Sequence, residues 1–265
     1  MTLQFAPAAP NALPVWLATK EDWPQIQAEL PPAARAFLAA SGFEPAAGRL
    51  VLLPGADGLA GAVFGIGASA ARDPFLPGQL ATSLPAGDWR FANAPSAPAL
   101  AALAFLLSSY KFSRSKSAGG DRPRLVCPEG VDAARVESLA NAVAAGRDLI
   151  NTPANDMGPE ALEAAARELA AAHGASVSAI VGETLLGAEL RLIHAVGRAS
   201  AQAPRLVEFV WGRSDAPKVT LVGKGVCFDT GGLDIKPEAA MLLMKKDMGG
   251  AATALACARM VMEAR

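Results

Sequence analysis

Apolar runs punctuated by glycine and proline organise this chain, and their spacing changes near its middle. In the first half, residues 49–53 (RLVLL) are closed by Pro54-Gly55 and predict a buried strand. Residues 59–66 predict a second, and 84–91 a weaker third, interrupted by Pro85 and Gly87. Residues 98–110 predict a helix with proline in its first turn. The polar, glycine-bearing stretch 113–122 (SRSKSAGGDR) predicts an exposed loop, and 123–127 one more short strand. A long helix follows over 130–150, where Val131, Val136, Leu139, Val143 and Leu149 recur near helical spacing before Asn151-Thr152-Pro153 stops it.

The second half has a βα rhythm. Residues 159–173 predict an amphipathic helix with Pro159 at its start and Gly174 past its end. Residues 177–181, 205–211 and 219–222 predict strands, 190–196 fits helix or strand, and 249–265 predicts a helix. Strands alternating with helices predict a mostly parallel sheet. The expectation is an α/β protein of two α/β domains. The smaller N-terminal one spans 1–128. The second, 129–265, is a mostly parallel-sheet domain begun by the linking helix.

Composition narrows the function. The chain has 265 residues, 52% of them hydrophobic, and a mean hydropathy of +0.27. The excess is largely alanine, which suits helices packed closely on a sheet. A net charge of −1 gives no electrostatic footprint for nucleic acid or an anionic membrane. Cys127, Cys227 and Cys257 show no CxxC spacing and suit a reducing compartment. His173 and His194 form no HExxH pair, so a metal site here would draw on oxygen or amine ligands. The N-terminus lacks a basic leader and the longest apolar run, 98–107, is too short to span a bilayer; a cytoplasmic location is expected.

The chemistry concentrates in 221–250, LVGKGVCFDTGGLDIKPEAAMLLMKKDMGG, with three aspartates, four lysines and six glycines. Loops after the carboxyl ends of parallel strands are where α/β proteins place ligands. Asp229 precedes Gly231-Gly232, and Asp247 precedes Gly249-Gly250 at a predicted helix start. Two carboxylates so placed suit a divalent cation. A lysine beside them is either a charged partner or a neutral amine ligand. The second needs roughly 4–5 kcal/mol to bring a lysine from about 10.4 to 7, which a bound cation supplies. The alternative is a turn-rich loop held by ion pairs.

KGVCFDTGGLDIKP followed by MKKDMGGAA resembles the leucyl (cytosol) aminopeptidase family of two-metal peptidases. GRDLINTPANDMGPEALEAAARELA and VGRASAQAPRLVEFVW are similar to its neighbouring blocks, so the resemblance runs from about residue 145 to the end. It implies Lys224 as the amine ligand of one metal, Asp229 as a carboxylate bridging both, and Asp247 as a further ligand of the Lys224 metal. It implies Lys236 as the catalytic lysine that polarises the substrate carbonyl, and Asp234 as a turn residue. The implied cofactors are two divalent ions, Mn²⁺ or Zn²⁺, with a bicarbonate in the complete protein. The implied partners are peptides with apolar, leucine-like N-termini, within a homo-hexamer. The family also carries a later Asn-Thr-Asp-Ala-Glu-Gly-Arg string with further metal ligands and a second catalytic residue. These 265 residues stop before it, so the resemblance implies a fragment or a truncated relative that carries only part of the family's site. The alternative reading is a non-catalytic assembly or binding protein of the same fold.

Several other features carry blander readings. Gly65-Ile66-Gly67-Ala68-Ser69-Ala70 approximates a dinucleotide fingerprint but reads better as a strand-ending turn. His173, His194 and Cys227 read as structural. Lys245 and Lys246 read as a solvated turn. Met241, Met244 and Met248 fit either a substrate pocket or the core.

Overall fold

The structure is a computed structural model that describes residues 2–56, 58–68, 73–114 and 120–264. The chain divides into two compact units, 1–141 and 142–265. The division falls inside helix α5 (Ala133–Asn151).

In the first unit, β1 (Leu13–Thr19), β2 (Leu50–Gly55), β3 (Gly58–Gly67), β4 (Gly87–Phe91) and β5 (Pro123–Leu125) form one sheet in the order β2-β3-β1-β4-β5. The β1–β3, β1–β4 and β4–β5 pairs are parallel, and β2–β3 is antiparallel. Alternation along the strands sorts the side chains. Ala18, Leu53 and Val63 pack with Ile26 and Leu30 of the α1 region (Trp23–Glu29) and with Ala34 and Leu38 of α2 (Pro32–Ala40). Leu17 and Ile66 instead share a small cavity with Pro77 and with Ala101 of α4 (Pro98–Ser108). The sheet is thus covered by helices, as its mostly parallel pairing requires.

The predicted strand over 84–91 is shorter than expected. Leu84 closes a helical turn, α3 (Leu80–Ser83), by donating to the Leu80 carbonyl, and the ladder starts at Gly87. Pro85 has no amide to give it. Gly65 and Gly67 lie within β3 itself, whereas Ser69 and Ala70 of the near-fingerprint lie outside the described residues. So do 115–119 of the expected polar loop.

In the second unit, α6 (Pro159–Ala172) packs beside the antiparallel pair β6 (Ser176–Val181) and β7 (Arg205–Val210). The mostly parallel pairing of this α/β chain is therefore that of the five-stranded sheet. Arg205 on β7 donates to Glu163 on α6 at 2.6 Å, with both side chains nearly buried. Gln202 reaches α6 from a distant loop and accepts from the Glu160 amide at 3.2 Å, which satisfies one of the helix's free donors. The ambiguous stretch 190–196 is helical, as α8 (Arg191–Gly197), preceded by the short α7 (Thr184–Gly187).

One expected element is absent. Residues 219–222 form no strand, and among the described residues no ladder includes them. A strand is completed by a hydrogen-bonded neighbour. This one has none, and Val219, Leu221 and Val222 remain exposed.

Candidate metal and catalytic site

The segment from Lys224 through the short α9 (Glu238–Met241) to α10 (Gly249–Glu263) is organised by one buried anchor. Met248, fully buried, packs with Met157 and Ala252 against Leu149, Ile150, Ala161 and Leu162. It ends the 3₁₀ turn Met244–Met248, so the residue before it, Asp247, is fixed at the entry to α10. The Lys224 carbonyl accepts from the Ala251 amide at 2.8 Å, which docks the incoming chain on the same helix start. Close approach explains the glycines. A Cβ on Gly223 would lie 2.5 Å from the Gly250 carbonyl oxygen, and one on Gly250 would lie 2.9 Å from the Lys224 nitrogen.

Lys224 and Asp247 meet across this junction. The Lys224 ammonium contacts Asp247 Oδ2 as an ion pair and lies 3.3 Å from the Asp247 carbonyl oxygen. That oxygen is buried, and the Lys224 ammonium is its partner. A buried carboxylate oxygen is costly unless a cation meets it, and here the lysine does so.

Asp229 belongs to a tight turn. Its Oδ1 accepts from the Gly231 amide at 2.8 Å. Gly231 and Gly232 have φ of 82° and 121°, and Asp234 has φ of 60°, a left-handed angle that aspartate tolerates. The Lys236 amide donates to the Thr230 carbonyl at 3.0 Å and closes the turn. The turn returns Lys236 to Asp229, with Nζ 2.8 Å from Oδ2 and 3.0 Å from Met244 Sδ. The Lys236 bond, the Gly231 amide and the nearby Lys224 charge hold the Asp229 carboxyl below its ordinary range.

The sequence-derived set therefore resolves into two acid–base pairs, Lys224–Asp247 and Asp229–Lys236. Lys224 is close enough to Asp229 to favour its charged form. Among the described residues, no three His, Cys, Asp or Glu side chains form a metal-holding group. The donors present are two carboxylates and an amine. Hard or borderline divalent cations accept such donors, and the buried Asp247 oxygen, whose charge is met here by the Lys224 ammonium, is suited to a cation. The residues fit a metal.

Neighbouring residues take definite parts. Asp234 binds neither pair and serves the turn. Lys245 is a helix cap rather than a solvated side chain: it donates to the Asn151 carbonyl at 3.1 Å, at the end of α5. Nothing in its local sequence announces a partner so far away. Met248 is core, whereas Met241 lines a depression with Phe228, Asp234, Lys236, Glu238 and Leu242. Burial pushes the Cys227 thiol up, away from thiolate chemistry. His194 lies 3.0 Å from Glu183, outside these pairs.

The chain matches the cytosol aminopeptidase family, catalytic domain, over residues 144–265, and the M17 aminopeptidase N-terminal domain over 8–128. It is 39% identical over 173 residues to a probable cytosol aminopeptidase of Rhodococcus opacus, an alignment covering 59% of this chain and 34% of that protein. A probable cytosol aminopeptidase of Mycobacterium bovis is 38% identical over 168 residues, 57% of this chain and 33% of its own length. These alignments thus span about a third of the relatives. Among solved structures, the cytosol aminopeptidase of Coxiella burnetii superposes with a TM-score of 0.87 at 38% identity, covering 97% of this chain and 56% of that one. The bottromycin maturation enzyme BotP in complex with Mn superposes at 0.72 with 29% identity, covering 94% and 56%. Among the described residues no helix is long and apolar enough to cross a membrane.

Proposed function

The chain belongs to the cytosol aminopeptidase family, and on that premise we propose that it serves a metal-dependent aminopeptidase that releases apolar, leucine-like residues from peptide N-termini. The observation that carries this reading is the convergence of the Lys224 amine on the buried Asp247 carboxylate oxygen, beside the Asp229–Lys236 pair. Lys224, Asp229 and Asp247 hold divalent cations, two in number and Mn²⁺ or Zn²⁺ in kind; the manganese bound to BotP favours the first. Cations so held supply Lewis acidity and lower the pKa of a coordinated water.

The chain's own residues do the rest. Lys224 would serve as a ligand through its neutral amine. Asp247 is kept in place by the buried Met248 that follows it. Lys236 would present a positive charge to the scissile carbonyl oxygen as negative charge grows there. Phe228, Met241 and Leu242, beside Lys236, offer apolar surface to a substrate side chain. Residues 1–128 form an N-terminal domain and 129–265 the catalytic part. The family resemblance favours a homo-hexamer in the cytoplasm, with a bicarbonate in the complete site and no nucleic-acid partner.

The test is hydrolysis of leucine p-nitroanilide with added Mn²⁺ by the protein as its gene encodes it. Lys236→Ala removes a charge that acts in the transition state, and about 100-fold or more of kcat is expected to go with it. Asp229→Ala is expected to abolish the Mn²⁺ response. Undiminished rates in both variants would remove the assignment.

A further inference from the structure

Both oxygens of Asp229 are engaged. Oδ1 holds the Gly231 amide and Oδ2 the Lys236 ammonium, each at 2.8 Å. The amide is fixed by its turn, but the lysine is the free end of a flexible stem. Its other neighbour, Met244 Sδ at 3.0 Å, is a weak acceptor that does little to hold it.

The proposed function asks Asp229 to hold a cation and Lys236 to face a substrate. Here each neutralises the other instead. Sharing is unfavourable: an ammonium and a dication on one carboxylate oxygen would stand within about 4–5 Å, where like charges repel. We propose that Asp229 carries either the Lys236 ammonium or a cation, never both, so that cation uptake unlatches Lys236. The inference rests on reading Asp229 as a metal ligand. Its consequence is that the carbonyl-polarising lysine becomes available only where metal has loaded. A site without metal would hide its charged lysine from peptides.

The test measures acetylation of Lys236 by an N-hydroxysuccinimide ester, with and without Mn²⁺, read by mass spectrometry and normalised to Lys20 in the other unit. Free Mn²⁺ is followed in the same samples by electron paramagnetic resonance. Mn²⁺ is expected to speed Lys236 acetylation about two- to fivefold, the range set by loss of an exposed ion pair. Asp229→Asn, which breaks the latch, is expected to react at the faster rate in both conditions. Mn²⁺ binding with unchanged Lys236 reactivity overturns the latch and leaves the metal site standing. Failure of the chain to bind Mn²⁺ overturns both.

Discussion

The Lys224 carbonyl and the Ala251 amide are joined by a 2.8 Å hydrogen bond, so the loop carrying the amine rides on the first turn of α10. The contact exists because Gly223 and Gly250 lack side chains. Gly223→Ala would put a Cβ 2.5 Å from both Ala251 Cα and the Gly250 oxygen. Backbone must then shift, at about 1–3 kcal/mol. Thermal unfolding should show a melting point lower by several degrees, together with weaker Mn²⁺ binding. Gly187→Ala, with open space around its Cβ in α7, should be neutral or slightly stabilising. Equal effects from the two substitutions would contradict the docking account.

Met248 supports Asp247 from beneath. Met248→Ala would empty a fully buried position and cost about 2–5 kcal/mol. Met248→Leu conserves volume and should cost less than about 1.5 kcal/mol. Denaturant melts compare the two, and a mild effect of the alanine would show that the anchor lies elsewhere.

Acid should loosen the α6–β7 contact. The Arg205 and Arg167 guanidinium groups hold the Glu163 carboxyl below its ordinary range. A depressed carboxylate contributes stability above its unfolded pKa of about 4.3 and loses it as pH falls through the lower folded value. Asp229, lowered chiefly by Lys236, follows the same sign. Glu163→Gln should cost about 1–3 kcal/mol at pH 7, since Arg205 keeps the Ala203 carbonyl and Glu160. It should also flatten the acid limb of stability against pH. A limb as steep as the wild type's would place the titrating group elsewhere.

Lys245→Met removes the cation at the end of α5 and leaves the Asn151 carbonyl without this donor. A loss of about 0.5–1.5 kcal/mol is expected. Lys246→Met, next to it, should change little, and the difference is readable in paired melts.

Much of the α/β architecture was legible because local signals agree. Prolines at the first turns of α4 and α6 and helical spacing in α5 placed those elements within a few residues. The residues 219–222 were misread because their apolar composition states a preference, while a ladder needs a neighbour that composition does not supply. Within the site, the four side chains were nameable from their motif. The turn that brings Lys236 back to Asp229, and the cap from Lys245 to Asn151, depend on three-dimensional closure that spacing does not encode.

In the proposed function Lys224, Asp229 and Asp247 share a cation. Titrating the 265-residue chain with Mn²⁺ by electron paramagnetic resonance tests it directly. The account predicts saturable binding that weakens at least about tenfold in each of Lys224→Met, Asp229→Asn and Asp247→Asn, all three folded by circular dichroism. Wild-type affinity in all three variants would contradict it.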